Sequence, residues 1–203
     1  LNLISNIPRN DNFVFFDIEC CLPSFSKTIG KTTIRNVHTL VSIAANSYID
    51  GLHTQKCWVI ENDCEISRQN IVDEFLKFCF AEHQRMTKDT DIFKAFDKIE
   101  ALKLDASRLE KSKLNQIKRK LENYIELPIF GFNSSKYDLN VIFKYMMAFL
   151  KKNDIPLSQV SVLKKGTKYF SVKFSDLVFR DLLNFTSPQS LDSYLKTWTK
   201  NFK

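Results

Sequence analysis

Short apolar runs dominate the first sixty residues, and their spacing predicts strands. The run Phe13 to Phe16 continues without polar alternation, which predicts a strand that is buried on both faces. Two further strands are predicted at Val37 to Ile49 and at Gln55 to Ile60, and the Asp50-Gly51 pair between them is typical of a hairpin turn. The stretch Leu22 to Lys31 contains Pro, Ser and Gly, so it predicts a loop.

Helical periodicity begins after residue 60. Ser67 is the predicted N-cap of a helix whose apolar positions recur at helical spacing up to about His83. Residues 91 to 126 separate apolar positions with dense Lys, Arg and Glu, which predicts a helical hairpin with the character of an insertion. A further helix is predicted to begin near Asp138, where a carboxylate is favoured and could serve simply as a cap.

The remaining pattern predicts more strands and one last helix. Four apolar runs read as short strands: residues 127 to 132, 160 to 163, 169 to 174 and 177 to 179. The second and third of these form a hairpin around Lys165-Gly166, and the fourth ends at Asp181. Ser187 is the predicted N-cap of the last helix, with Pro188 at its first helical position. The alternation of strands and helices indicates an α/β fold.

Size and composition favour one packed unit. The chain has 203 residues and 44% hydrophobic content, which is enough for one sizeable α/β domain with a single core. Eighteen Phe against four Gly and five Pro argue against a disordered or repetitive protein. We therefore expect residues 1 to 203 to form a single domain.

Cysteine usage and the absence of targeting signals bear on location. The five cysteines are odd in number and lack paired C-x-x-C spacing, so they indicate neither a disulfide framework nor a zinc site. No signal peptide or membrane-spanning run is evident, so no membrane partner is expected. We expect a reducing intracellular compartment, which is the nucleus, the cytoplasm or an organelle. The first residue is Leu, which suggests a segment of a longer protein.

The charge of the chain is compatible with a polyanionic partner. The formal net charge of +7 favours partners such as nucleic acid, although lysine-rich surface helices produce the same balance. The basic run Lys111 to Lys120 presents the same two alternatives. It either follows a phosphate backbone or forms the solvated face of a helix.

Two carboxylates stand at the end of the first strand. Side chains alternate along a strand, so Asp17 and Glu19 point to the same face, about 7 Å apart, while Ile18 points into the core. Paired carboxylates can hold the Mg²⁺ ions of two-metal phosphoryl chemistry and leave positions for water and phosphate. Solvated acids at the end of a surface strand would have the same pattern.

Three segments together resemble a known family. The element order is that of ribonuclease H-like folds, and Phe15-Phe16-Asp17-Ile18-Glu19 resembles the first motif of DEDD-type 3′–5′ exonucleases. Phe132-Asn133-Ser134-Ser135-Lys136-Tyr137-Asp138 resembles the second motif of the proofreading domain of family B DNA polymerases. Phe179 to Phe185 is similar to a family segment that follows it. The similarity is greatest to the protein-primed branch found in adenoviruses, Polinton-type transposons and linear plasmids.

The resemblance implies a fold, a reaction and a set of metal ligands. The fold would be a ribonuclease H-like mixed sheet flanked by helices, with residues 91 to 126 as a helical insertion. Asp17, Glu19 and Asp138 would bind two Mg²⁺ or Mn²⁺ ions and catalyse hydrolysis of the 3′-terminal phosphodiester of single-stranded DNA. The activity would be proofreading during DNA replication. The other partners would be the remainder of a polymerase chain and a terminal protein.

Four further residues are assigned by the same resemblance. Asn133 would hold the 3′ end of the DNA, and Tyr137 and Phe132 would pack beside bases or sugar. An aromatic ring beside a strand end is also a common core residue, and this alternative applies to Phe132 above all. Asp181 is expected next to the metal site, as a support for its ligands.

The chain departs from the family at two places. The third family motif, Tyr-x-x-x-Asp with the fourth metal-site carboxylate, has no match after Asp138, because Tyr194 is followed at that spacing by Trp198. Asp181-Leu182-Leu183 stands where the family commonly has Asp-Ser-Leu. We therefore expect the isolated fragment to be nearly inactive. The alternative function is a catalytically inactive, exonuclease-like module that binds nucleic acid or another protein.

Overall fold

The structure is a computed structural model that describes residues 10–88, 92–186 and 189–198. The strands in these residues are β1 (Phe13–Cys21), β2 (Ser24–Ile29), β3 (Thr32–Asn36), β4 (Thr39–Ile49), β5 (Leu52–Val59), β6 (Leu127–Gly131), β7 (Val160–Lys165), β8 (Lys168–Phe174) and β9 (Leu177–Asp181). The helices are α1 (Glu65–Thr87), α2 (Ile92–Leu104), α3 (Arg108–Ile125), α4 (Asp138–Lys152) and α5 (Leu191–Trp198). Short 3₁₀ turns occupy Leu157–Gln159 and Leu182–Phe185.

Seven of these strands form one mixed sheet around β1. The strand order is β5-β4-β1-β6-β9-β8-β7, and β2 and β3 form a separate two-stranded sheet. β6 is parallel to both β1 and β9, whereas the remaining neighbours in the large sheet are antiparallel. This α/β architecture is compatible with a ribonuclease H-like fold, and it confirms the predicted fold class.

The main core lies between the sheet and the helices α1 and α4. β1 contributes Val14, Phe16 and Ile18 to this core, and Phe16 packs against Phe75 of α1 with ring centroids 5.5 Å apart. The alternate residues of β1 are exposed on the other face. The prediction that β1 is buried on both faces was therefore wrong, because the described helices α1 and α4 cover one face and Phe15 stays 39% exposed on the other.

The prediction of a loop over residues 22 to 31 was also wrong. β2 and β3 form an antiparallel hairpin there, with Gly30 at φ +60° in the turn. Threonine has high β propensity, and the side chains of Thr28 and Thr33 lie 3.2 Å apart across the hairpin. The polar residues of this segment therefore form a two-stranded ribbon instead of a loop.

The first helix extends beyond its predicted limits. Cys64 is the N-cap of α1 in place of Ser67, because the Cys64 Sγ accepts a hydrogen bond from the Ser67 backbone N–H at 3.5 Å. The helix continues past His83 to Thr87. The His83 Nε2 lies 2.9 Å from the carbonyl oxygen of Ile125, so this imidazole joins α1 to the end of α3.

The predicted helical hairpin is confirmed as α2 and α3. Ser107 and Glu110 form a capping box at the start of α3. The two helices bury a small cluster of their own around Ile99, Leu114 and Leu121. The last helix, α5, begins at Leu191, which is later than predicted, and the predicted cap at residues 187 and 188 lies outside the described residues. Within the described ranges, no helix combines the length and apolar character needed to cross a membrane.

Candidate active site

The end of β1 projects past its parallel neighbour. β1 pairs with β6 from Val14 to Phe16, the last of which lies opposite Gly131. The antiparallel pairing with β4 continues further and includes Asp17 and Glu19. Both carboxylate side chains are exposed on the face opposite the main core. They therefore stand beside the point at which β6 ends and the chain turns toward α4.

A tight turn after β6 brings the start of α4 close to the end of β1. A Cβ atom at Gly131 would lie 2.5 Å from the Ser134 Cβ and 3.0 Å from the Phe16 Cε1, so this position requires glycine. Asn133 adopts φ +58°, a left-handed conformation that Asn tolerates better than most residues. Asp138 is the first residue of α4.

Asp138 is a buried acid with an unsatisfied oxygen. Its exposed fraction is 4%, and its Oδ2 has no hydrogen-bond partner among the described residues. Burial, together with the negative charges of Asp17, Asp181 and Glu19, raises the pKa of Asp138 to about 7. The predicted carboxylates thus lie close enough to interact electrostatically.

Asp181 is equally buried but has a different environment. Its Oδ2 accepts a hydrogen bond from the Ser135 backbone N–H, and its Oδ1 accepts one from the Leu183 N–H, each at 3.0 Å. Asp181 lies opposite Gly131 in the pairing of β9 with β6. The Oδ2 atom therefore holds the loop that leads to Asp138, whereas the Oδ1 atom caps the 3₁₀ turn that follows β9.

The donor set is chemically suited to a hard divalent cation. The side chains of Asp17 and Glu19 make no hydrogen bond or ion pair with the described residues, and Asp138 offers an unpartnered buried oxygen. Carboxylate oxygens of this kind are what Mg²⁺ and Mn²⁺ prefer. In the described part of the chain, no three His, Cys, Asp or Glu side chains are already grouped closely enough to hold a metal ion. By their chemistry, the three carboxylates fit as ligands for such a cation.

Tyr137 is the best anchored of the three predicted DNA-binding residues. Its hydroxyl lies 2.6 Å from the His38 Nδ1, and the two rings meet edge to face with centroids 4.6 Å apart. Burial raises the pKa of Tyr137, and the neighbouring Cys20 thiol and the charges of Asp138 and Glu19 raise it further. Neither His38 nor Cys20 was predicted as a site residue.

Asn133 and Phe132 occupy different surroundings. The Asn133 side chain is exposed in the turn before α4. The Phe132 ring is half-buried and lies 5.9 Å from the ring of Tyr194 in α5. Phe132 and Asp17 line the same open cavity of about 690 Å³ on the outer face of the sheet. Phe132 is therefore a wall residue beside the carboxylates and lies outside the main core.

Comparisons with known proteins identify no relative. The chain matches no protein-family model, no curated protein and no solved structure.

Proposed function

We propose that this chain is the 3′–5′ exonuclease part of a protein-primed family B DNA polymerase. It removes the terminal nucleotide of single-stranded DNA by hydrolysis of the phosphodiester bond. The observation that carries this proposal is Asp138, a buried carboxyl whose Oδ2 has no partner among the described residues and whose pKa is raised by burial and by the charges of neighbouring acids, Asp17 and Glu19 among them. The ionised form of a buried acid without a counter-ion is unfavourable unless a bound cation compensates its charge.

Asp17, Glu19 and Asp138 are the residues that would hold two Mg²⁺ or Mn²⁺ ions. Such ions neutralise phosphate charge and make a bound water nucleophilic at neutral pH. The contribution of Asp138 depends on its ionisation, because a carboxyl with a pKa of about 7 is partly protonated in neutral solution. Cation binding and proton release at Asp138 are therefore coupled, and acid conditions oppose binding.

The residues around the carboxylates would position the DNA. Asn133 is exposed in the turn before α4 and is available to hold the 3′ end. Phe132 lines the cavity that contains Asp17, and Tyr137 stands next to Asp138 in sequence. Aromatic rings near an exposed strand end can stack on the bases of a single strand. The cavity of about 690 Å³ has room for a terminal nucleotide beside Asp17.

Degradation of a 5′-labelled single strand tests the proposal. With Mg²⁺ or Mn²⁺ and excess protein, the products should shorten one nucleotide at a time from the 3′ end, and EDTA should abolish the reaction. The rate should be low, because the fourth metal-site carboxylate of the family has no match in this chain, so long incubations are used. Asp138→Asn should remove the activity. Asp154→Asn is the matched control, because it changes an exposed aspartate outside the site whose φ of +53° asparagine also adopts. No shortening by the wild-type protein with either metal would contradict the proposal.

An inactive binding module is the second candidate function. One observation favours it. Among the described residues, no three His, Cys, Asp or Glu side chains lie close enough together to hold a metal ion. A module of this kind would bind single-stranded DNA with the same affinity in EDTA and in Mn²⁺, and it would leave the DNA intact. If addition of Mn²⁺ increases both the affinity for single-stranded DNA and the rate of its cleavage in proportion, this alternative is excluded.

A further inference from the structure

The contact between His38 and Tyr137 joins two distant parts of the chain at the candidate active site. His38 lies between β3 and β4, directly after the hairpin of β2 and β3, whereas Tyr137 is the residue before α4. The Tyr137 hydroxyl lies 2.6 Å from the Nδ1 of His38, and the rings meet at an interplanar angle of 90°. A bond this short with an accompanying ring contact fixes both the position and the tilt of the phenol.

The phenol ring is also held by packing. Tyr137 is half-buried and lies against the main core, as does Cys20, the residue that follows Glu19 at the end of β1. The side chain is therefore held at its hydroxyl and along its ring.

We infer that His38 is a positioning residue that holds Tyr137 in the orientation needed for a terminal nucleotide to bind. This inference rests on the proposed exonuclease function. Because the hydroxyl is already engaged by His38, Tyr137 meets the nucleotide with its ring. His38 acts on the substrate only through Tyr137. Its removal leaves the carboxylates intact and allows the phenol to turn away.

The chemistry of imidazole supplies a matched pair of variants. The Nδ1 atom is two bonds from Cβ, which is also the place of the polar atoms of an asparagine side chain, whereas the polar atoms of glutamine are one bond further out. His38→Asn should therefore keep the bond to Tyr137, and His38→Gln should lose it. Tyr137→Phe removes the same bond from the other side and leaves the ring in place.

The test is a double-mutant cycle on single-turnover degradation of a 5′-labelled strand, with the half-saturating protein concentration and the maximal rate measured separately. His38→Ala, His38→Gln and Tyr137→Phe should each raise the half-saturating concentration by about threefold to tenfold, which is typical for the loss of one hydrogen bond. The double variant His38→Ala/Tyr137→Phe should be no worse than either single variant. His38→Asn should match the wild type, and all variants should keep the wild-type melting temperature.

The outcomes separate this inference from the proposed function. If the wild type cleaves DNA but the two single effects multiply in the double variant, the inference is overturned and the proposed function stands. The same conclusion follows if His38→Asn is as defective as His38→Ala, or if His38→Ala lowers the melting temperature and leaves substrate binding unchanged. If the wild type neither binds metal nor cleaves DNA, the proposed function fails, and the inference that rests on it is overturned too.

Discussion

The end of β1 and the hairpin of α2 and α3 are both rich in charge, but they use it differently. In the hairpin, Glu100 contacts Lys103 at 3.1 Å and Lys118 at 2.7 Å, so negative and positive groups are paired at the surface. At the end of β1, Asp17 and Glu19 make no ion pair among the described residues, and they raise the pKa of the buried Asp138. Paired surface charges contribute little free energy, whereas uncompensated acids near a buried carboxyl are unfavourable.

This difference is the basis for assigning chemistry to one region and not to the other. Exposed pairs such as Glu100 with Lys118 keep a helical surface soluble and need no ligand. The acids near Asp138 have like charge and little protein compensation, so a cation would relieve their repulsion. Matched changes in the two regions therefore test this contrast.

The largest effect is expected for Glu19→Gln, and Glu100→Gln is its matched control. Glu19→Gln should lower metal-dependent degradation at least about 100-fold, because it removes a ligand from a two-metal site. Glu100→Gln breaks two ion pairs on the helical hairpin and should leave the rate unchanged. Initial rates at saturating Mn²⁺ measure both variants. Similar losses in the two proteins would mean that the contrast between the regions has no functional meaning.

The pH dependence of stability should differ between Asp138 and the surface acids. The folded protein holds the Asp138 proton up to about pH 7, whereas an unfolded chain releases it near pH 3.8. The folded state therefore binds more protons between these values, and the free energy of unfolding falls as pH rises through this window. Without metal, Asp138→Asn should exceed the wild type in stability at pH 8 by on the order of 2 kcal/mol, and this advantage should vanish near pH 4.

Chemical denaturation in EDTA at several pH values measures this effect. Glu100→Gln is the control, because Glu100 is exposed and its change should produce no comparable gain at pH 8. A stability difference between Asp138→Asn and wild type that is independent of pH would show that the Asp138 carboxyl is not strained in the folded protein.

Weakening the small core of the helical hairpin should leave DNA degradation unchanged. Leu114 is 5% exposed and packs with Ile99 and Leu121, so Leu114→Ala should destabilise the hairpin by about 2 kcal/mol. The degradation rate at 25 °C should remain that of the wild type. Circular dichroism at 222 nm and the rate are measured on the same sample. A parallel loss of helix and activity would indicate that the hairpin supports the site.

Tyr137→Ala is the variant with which neutralisation of the lysine run, Lys111 to Lys120, is compared in single-strand affinity. If a base stacks on the ring, Tyr137→Ala should weaken single-strand affinity by roughly 1–3 kcal/mol.

The smallest effect is expected for neutralisation of the exposed Lys111, Lys113 and Lys120. These changes should mainly flatten the salt dependence of binding. Fluorescence anisotropy with single-stranded DNA across a salt series compares this lysine variant with Tyr137→Ala. A larger loss in the lysine variant at every salt concentration would make the hairpin the DNA-binding surface.

Local sequence patterns predicted most of the fold because they report which face of an element is buried. The period of two in β1 correctly placed Asp17 and Glu19 on one face and Ile18 in the core. Helical spacing correctly predicted the hairpin of α2 and α3 and the start of α4 at Asp138. These features depend on neighbouring residues, so the pattern of the chain is sufficient to infer them.

The features that were missed depend on contacts between distant residues or on unusual chemistry. His38 and Tyr137 are 99 positions apart, and no local pattern connects them. The cap at Cys64 uses a thiol, which is uncommon at this position. The unsatisfied oxygen of Asp138 follows from its burial, whereas the sequence alone is equally consistent with a simple helix cap.

Metal binding at equilibrium tests the central claim most directly, because it does not depend on turnover. Calorimetric titration with Mn²⁺ at pH 8 should show specific binding to the wild-type protein. This binding should be lost in Asp17→Asn and in Asp138→Asn. Asp154→Asn should bind like the wild type. Release of protons from Asp138 should make the binding weaker at pH 6 than at pH 8. The absence of Mn²⁺ binding to the wild type, or undiminished binding to Asp138→Asn, would contradict the assignment of these carboxylates to a metal site.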